Sequence, residues 1–318
     1  MTMSAAKKLN MIVLAILLAA MLTACGKAPD TGSAQGEAEQ DNETAVYHTD
    51  NGDIAVPKNP QRVVMLADSY LGDFLVLGIK PVGVTDNAFT NAYFQGKLDG
   101  IENLGEGTSL EKILELRPDL IVTYAAADNI EQLGKIAPTI PIPYGKKTFR
   151  DQLKEFGQLT SREAKADEWI AAWDKKIAEA KPKVQAAVGD KTVSILQPYA
   201  KGIYAFGHNY ARGGEIIYGE FKLKAPQPIQ KEAIDSGIGY ANLSLEMLPD
   251  YAGDYIFTSA WSGDNADPEV VYGSAVWKGL PAVKNNKVFK LDPRSSLFND
   301  PISLDAELDW IVEQLTRS

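Results

Sequence analysis

Cysteine is almost absent from this 318-residue chain: Cys25 is the only one. No disulfide can form within it, so its stability has to come from packed cores, which a chain of this length and 45% hydrophobic content can build. Histidine is nearly as scarce, with only His48 and His208, which argues against a zinc or manganese receptor built on clustered imidazoles. Positive charge is also in deficit. Thirty-two Lys and Arg face 42 Asp and Glu, a net charge of −10. Nucleic-acid binding needs phosphates neutralised by Lys and Arg, so that class is disfavoured, as is attachment to anionic lipid through a basic patch. Catalytic signatures are missing as well. No Gly-x-Gly-x-x-Gly follows the first apolar run, and there is neither a phosphate loop ending in Gly-Lys-Ser/Thr nor a Gly-x-Ser-x-Gly elbow. With these few thiols and imidazoles the usual nucleophile–base pairs are hard to assemble.

What is present begins with Lys7 and Lys8, followed by an uncharged, mostly apolar run from Leu9 to Leu22. This run is too short to be read as a membrane span and has the layout of an export signal. A small-residue cleavage site would fall just before Cys25, making residues 1–24 a signal peptide. The stretch Leu22-Thr23-Ala24-Cys25-Gly26 resembles the lipobox of bacterial lipoproteins. That resemblance implies that Cys25 becomes a lipid-modified N-terminus and holds the protein on the extracytoplasmic face of the cell membrane. Loss of Lys7 and Lys8 would shift the net charge from −10 to −12. Residues 25–45, rich in Gly, Ser, Ala, Gln, Glu and Asp, read as a flexible tether. His48, at the end of that tether, reads as a solvated side chain.

Beyond the tether the pattern is α/β. In residues 46–155, the runs Arg62–Leu66, Pro81–Val84 and Asp119–Tyr124 read as strands of a largely parallel sheet. Between them Ser109 to Leu116 reads as a helix capped by Ser109 and ended by Pro118, with Leu110, Ile113 and Leu114 on one face. Residues 156–186 read as a linking segment. From Ser161 to Lys181 there is no Gly or Pro, and Ala166, Trp169, Ile170, Trp173, Ile177 and Ala180 form one stripe. At ~1.5 Å per residue this predicts a helical strut of ~31 Å, ended by Pro182. In residues 187–318 the pattern restarts, with strands at Thr192–Leu196, Tyr255–Thr258 and Lys287–Leu291 and a closing helix over Asp305–Leu315. A Ser-Leu-Glu helix start followed by a strand occurs in both halves, at Ser109-Leu110-Glu111 and at Ser244-Leu245-Glu246. The expected fold is therefore α/β, with two Rossmann-like lobes joined by one long rigid helix.

The densest feature is the block from Ile203 to Tyr218. A strand delivers Tyr204 and Phe206, Gly207 breaks it, and a loop then exposes His208, Tyr210 and Arg212 before Gly213-Gly214 leads into a helix. Aromatic rings beside an arginine at a strand's C-terminal end suit a cleft that grips a planar or anionic ligand. A turn whose tyrosines cap the core, with the arginine in a surface ion pair, explains the same residue types equally well.

Several motifs in order carry a resemblance over nearly all of residues 55–315. Gly78–Gly83, Leu110-Glu111 with Leu116–Ile121, and Asn299–Leu304 are similar to the iron–siderophore substrate-binding proteins of ABC importers. The Tyr204–Tyr218 block resembles the ferric-hydroxamate lipoproteins within that group. The resemblance implies a class III periplasmic-binding-protein fold with the ligand in the cleft between the lobes. It further implies that Tyr204, Tyr210 and Arg212 contact the siderophore from the second lobe and Tyr144 from the first. Tyr210 stands where hydroxamate receptors often carry tryptophan. Phe298 is the aromatic that remains near Asp300-Pro301, where relatives often place cleft aromatics. Glu111 and Glu246, favourable anyway as first-turn helix charges, are implied to dock on arginines of the permease dimer.

The same resemblance implies an iron(III)–siderophore complex as cargo, no cofactor, no protein ligand to the metal and no enzymatic activity. It also implies a monomer partnered by a permease dimer with its ATPase. The siderophore fills all six positions around ferric iron with its own oxygens. A ferric tris-catecholate carries about three negative charges and calls for several cations. The block offers Arg212, with His208 as a second candidate, which favours a near-neutral hydroxamate complex. Catecholate, citrate, haem and corrinoid receptors are the alternatives on this scaffold. An exported hydrolase or isomerase would need a general base near Arg212, for which Glu215 and Asp235 are the nearest candidates. Trp169 and Trp173 read as packing residues of the strut. Trp261 and Trp277 are candidates for the cleft rim without a position fixed by the sequence.

Overall fold

Two five-stranded sheets are held apart and aligned by one long helix. A computed structural model describes residues 43–49, 52–260 and 267–317. Cys25, most of the expected tether and Trp261 lie outside the described residues. Strands β1 (Thr44–Thr49) and β2 (Gly52–Pro57) form an antiparallel hairpin. Strands β3 (Val63–Met65), β4 (Gly83–Val84), β5 (Glu102–Asn103), β6 (Leu120–Tyr124) and β7 (Thr139–Ile142) form the first sheet, in the order β5-β4-β3-β6-β7. Every pairing in it is parallel, as the continuous apolar runs predict.

The second sheet comprises β8 (Val193–Tyr199), β9 (Gly202–Phe206), β10 (Tyr240–Leu243), β11 (Tyr255–Thr258) and β12 (Val288–Lys290), in the order β10-β9-β8-β11-β12. Here β8, β11 and β12 are parallel, but β9 runs antiparallel to both neighbours. Only Ala200 and Lys201 join β8 to β9, too few residues for a crossover, so a hairpin is the one available connection. That reversal presents Tyr204 beside Gln197 in register.

Five helices matter for the site. Helix α1 (Leu71–Val76) follows β3, and α2 (Leu110–Glu115) is capped by Ser109, whose Oγ accepts from Lys112 N at 3.4 Å. In α2 Ile113 is buried but Leu114 is 58% exposed, so a two-turn helix against the sheet covers a narrower stripe than its sequence indicates. Helices α3 (Phe149–Leu159) and α4 (Glu163–Val188) follow, and α5 (Pro301–Thr316) closes the chain.

The strut α4 runs 26 residues, about 39 Å. It passes through Pro182 instead of ending there and stops at Gly189. Pro182 sits on the exposed face, where water can satisfy the carbonyl left without its amide partner, while Val184 and Val188 continue the buried stripe. The stripe is divided between two cores. Ala166 and Ile170 pack with Phe74, Phe156 and Leu153 of the first lobe. Trp173, Ile177, Val184 and Val188 pack with Ile195, Phe257 and Leu308 of the second. The lobes are thus fixed to opposite ends of one rigid rod.

The last helix ties them again at its start. Asp300 caps α5, its Oδ1 accepting from Ile302 N at 2.9 Å and Ser303 N at 3.1 Å, with Pro301 at the first helical position. Asn91 of the first lobe donates to Ser303 Oγ at 2.9 Å, and Ala92 N donates to Ser295 Oγ at 3.0 Å. Among the described residues no helix is long and apolar enough to cross a membrane.

Candidate functional site

The C-terminal ends of β3, β6 and β7 face the β9–Gly214 segment across a cleft. After β3 the chain turns through Asp68, Ser69 and Tyr70. The Asp68 carboxylate accepts from Thr85 Oγ1 at 3.0 Å and from the Tyr124 hydroxyl at 2.8 Å. Ser69 N donates to that hydroxyl oxygen at 3.1 Å. Burial, reinforced by the Asp68 charge, pushes the Tyr124 hydroxyl pKa up, so it stays a neutral donor. Tyr144 lies in the turn after β7. Its ring centre is 6.2 Å from those of Tyr70 and Tyr124.

The second lobe continues this set of rings. Tyr210 meets Tyr144 edge-on at 5.3 Å, so the aromatic wall crosses from lobe to lobe. Tyr210 contacts Tyr240 at 5.3 Å, Tyr240 contacts Tyr204 at 5.8 Å, and Tyr204 stacks on Tyr199 at 4.1 Å. The sequence-predicted Tyr144 and Tyr210 therefore touch, and Tyr204 lies two ring contacts further along.

Arg212 departs from its expected exposure: only 5% of it is accessible. Its guanidinium carbon sits 4.2 Å from the centre of the Phe206 ring. Nε donates to Gln197 Oε1 at 3.2 Å, and Nη1 donates to the Tyr210 carbonyl at 2.8 Å. The backbone that carries it is unusual. Ala211, Arg212 and Gly213 have φ of 60°, 57° and 78°, three left-handed residues in succession. Glu215 Oε1 accepts from Ala211 N at 3.0 Å and the Ser296 carbonyl accepts from Arg212 N at 2.8 Å, which hold this conformation. A side chain on Gly214 would put its Cβ 2.1 Å from the Gly207 carbonyl oxygen, so the diglycine serves close backbone approach.

These groups enclose a cavity of about 480 Å³, lined by Ser69, Tyr124, Ile142, Tyr144, Tyr210, Arg212 and Leu297 among others. Arg212 is the one charged side chain among its described lining residues. The volume is that of a small-molecule site. Four carboxyls are buried in the part of the fold that joins the lobes. Burial raises the pKa of Glu215, Glu307, Asp300 and Asp73, with the Glu215 and Asp300 charges adding to the rise at Glu307 and Asp300 adding to it at Asp73. Arg212 offsets part of this at Glu215 and Glu307.

The remaining predicted residues lie elsewhere. Phe298 is 1% exposed and packs edge-on against Phe94 at 5.5 Å in the first-lobe core, while its neighbour Leu297 reaches the cavity. The turn before α5 buries the larger ring and offers the smaller side chain. His208 lines a neighbouring cavity, and burial together with the Lys222 charge lowers its pKa. Glu111 and Glu246 are both exposed, the first in α2 and the second in the 3₁₀ turn Leu245–Met247. Glu215 is committed to Ala211 N and Asn299 Nδ2, and Asp235 is exposed and accepts from Gln230. Trp277 is buried beside Tyr272 in a second-lobe core. Tyr124, Ser69 and Leu297 were not foreseen. For Tyr124 a signal existed, since the last residue of a parallel strand faces the ligand edge of an open sheet.

The model of the periplasmic binding protein family matches residues 63–295 of the chain. This chain belongs to that family. It is 47% identical over 314 residues to the iron(3+)-hydroxamate-binding protein FhuD of Bacillus subtilis (strain 168), covering 98% of each chain. It is also similar to a solved FhuD-fold protein, the periplasmic binding component of a Fep/Fec-like ferrichrome ABC transporter from Bacillus subtilis. There the TM-score is 0.80 and the identity 49%, over 86% of this chain and 100% of the other. FhuD2 from Staphylococcus aureus, solved with bound ferrioxamine B, matches with a TM-score of 0.74 and 29% identity, over 81% of this chain and 98% of that one. The two-lobe α/β architecture is shared with these proteins.

Proposed function

We propose that this protein is an extracytoplasmic receptor that captures ferric hydroxamate siderophores in the aromatic cleft and delivers them to an ABC permease for iron uptake. The observation that carries the reading is a cavity of tyrosines with one buried arginine, in a chain nearly half identical along its length to a hydroxamate-binding protein. A hydroxamate complex offers iron-bound oxygens with little net charge. Arg212, already desolvated and oriented by Gln197 and the Tyr210 carbonyl, donates to those oxygens without a second cation. Tyr144 and Tyr210 cover the complex from the two lobes, and Tyr204 extends the wall. The iron is cargo held by the siderophore's own oxygens, so no protein ligand and no cofactor are needed. His208 lines a different cavity, which weakens the charge case for a tris-catecholate.

In the same reading Glu111 and Glu246 dock on the permease dimer, the receptor acts as a monomer, and lipid on Cys25 holds it at the membrane. The deciding experiment is a tryptophan-fluorescence titration with ferrioxamine B, ferrichrome and a ferric tris-catecholate. Saturable quenching by the hydroxamates alone supports the proposal, and binding of only the catecholate overturns the ligand class. Replacing Cys25 by Ser is expected to move the protein from the membrane fraction to the medium. Retention at the membrane would count against the lipid anchor.

A further inference from the structure

A second cavity, of about 580 Å³, adjoins the aromatic one and has the opposite character. Five basic side chains line it: Lys146 and Lys147 from the turn before α3, Arg150 from the first turn of α3, Lys181 from the strut and Lys222 from the second lobe. In a protein of net charge −10 this is a marked local excess of positive charge. Lys147 pairs with Glu155, and Arg150 pairs with Asp174 and Glu220. Lys146, Lys181 and Lys222 have no acidic group within 4.0 Å among the described residues. The facing acids are Glu220, already paired, and Glu215, whose Oε1 accepts from Ala211 N and Asn299 Nδ2 and whose buried Oε2 has no hydrogen-bond partner.

Three further features point the same way. Helix α3 starts in this wall, with Thr148 as its cap and its positive end facing the cavity lining. His208 Nδ1, on a lining residue, is buried without a hydrogen-bond partner. Lys222 holds a left-handed φ of 56°, a conformation that is costly for a lysine.

We propose that this cavity binds a small oxyanion of two or more negative charges, held by Lys146, Lys181 and Lys222. Because these lysines come from the first lobe, the strut and the second lobe, a bound anion bridges all three. Asn209 and Gly145, which line this site and adjoin Tyr210 and Tyr144 in the chain, are joined by a hydrogen bond, Nδ2 to carbonyl oxygen at 3.2 Å. The proposal does not depend on which molecule occupies the aromatic cleft.

The test is isothermal titration of the purified protein with pyrophosphate, and separately with citrate, at low ionic strength and near-neutral pH. One-to-one binding of either anion is expected, weakening as salt is added. Replacing all three lysines (Lys146→Gln, Lys181→Gln and Lys222→Gln) is expected to weaken it at least about tenfold. The control variant Lys97→Gln, Lys112→Gln and Lys284→Gln, changed at exposed positions elsewhere, is expected to bind as the parent does. Absence of saturable binding by both anions, or equal weakening in both triple variants, would overturn the proposal.

Discussion

Replacing Asp300 by Asn separates two things that one side chain now does. Asp300 caps α5, and it also keeps a carboxyl 1% exposed at the junction of the lobes. Burial raises its pKa from 3.8 to about 6, even though Ser303 and three backbone groups pull it down. A carboxyl whose folded pKa exceeds its unfolded one binds more protons in the native state, so stability falls as pH rises from about 4 to about 6. The gap corresponds to about 3 kcal/mol of destabilisation at pH above about 7. Asn keeps the capping acceptor, because it ranks with Asp at this position. It does lose the acceptor for Ser303 Oγ, now 2.6 Å from Asp300 Oδ2, at a cost of about 1 kcal/mol. The net expectation is a gain of about 2 kcal/mol near pH 7.5 and a loss of about 1 kcal/mol near pH 4. It also relieves Asp73, whose carboxyl the Asp300 charge pushes up. Urea denaturation at both pH values measures this directly. An Asp300→Asn variant destabilised equally at both would refute the argument that the buried charge, not the cap, dominates.

Arg212→Ala is expected to weaken ferrioxamine B binding by about 1.5–3 kcal/mol, the worth of hydrogen bonds from a charged donor, read by fluorescence titration. Unchanged affinity would remove Arg212 from the site. Combining Glu111→Ala with Glu246→Ala is expected to leave that affinity intact and abolish uptake of radiolabelled ferric siderophore, and normal uptake would end the docking assignment. Gly214→Ala is expected to cost about 1–3 kcal/mol in denaturant unfolding, because its Cβ meets the Gly207 carbonyl oxygen at 2.1 Å and neither backbone can retreat. Parent-like stability would show that the Gly207–Gly214 approach can relax.

The parallel first sheet and the strut were legible because each rests on a local pattern, and the aromatic block because its rings, arginine and glycines cluster in one short stretch. The strands Leu120–Tyr124 and Tyr255–Thr258 were continuous apolar runs, and the strut's stripe was regular over many turns. What misled were cases decided by orientation. Pro182 is tolerated because it faces water, which a one-dimensional pattern shows only if the stripe is followed past it to Val184 and Val188. Of Leu297 and Phe298, neighbours of similar character, the bend of the Ser295–Leu297 turn sends the smaller to the cavity and the larger to the core. Arg212 was expected to be exposed by its loop, as a ligand contact or in a surface ion pair. Its burial follows from three successive left-handed residues, and nothing in the residue types announces a backbone held by the nearby Glu215 carboxylate and the distant Ser296 carbonyl. Tyr124 was within a strand already recognised, and only its place at the ligand edge was missed.

The cap of the final helix also governs when the molecule can become native. Asn91 waits for Ser303, a partner 212 positions later, and Gly72 is flat against Asp300, with room for no side chain at all. The first lobe, although encoded first, lacks part of its own boundary until the last stretch of chain arrives. Early fragments therefore remain incomplete, and the contacts that finish the first lobe are of long sequence separation, which form slowly. A chain cut before α5 and its cap would strip the first lobe of Ser303 and Asp300 as well as the second lobe of its closing helix.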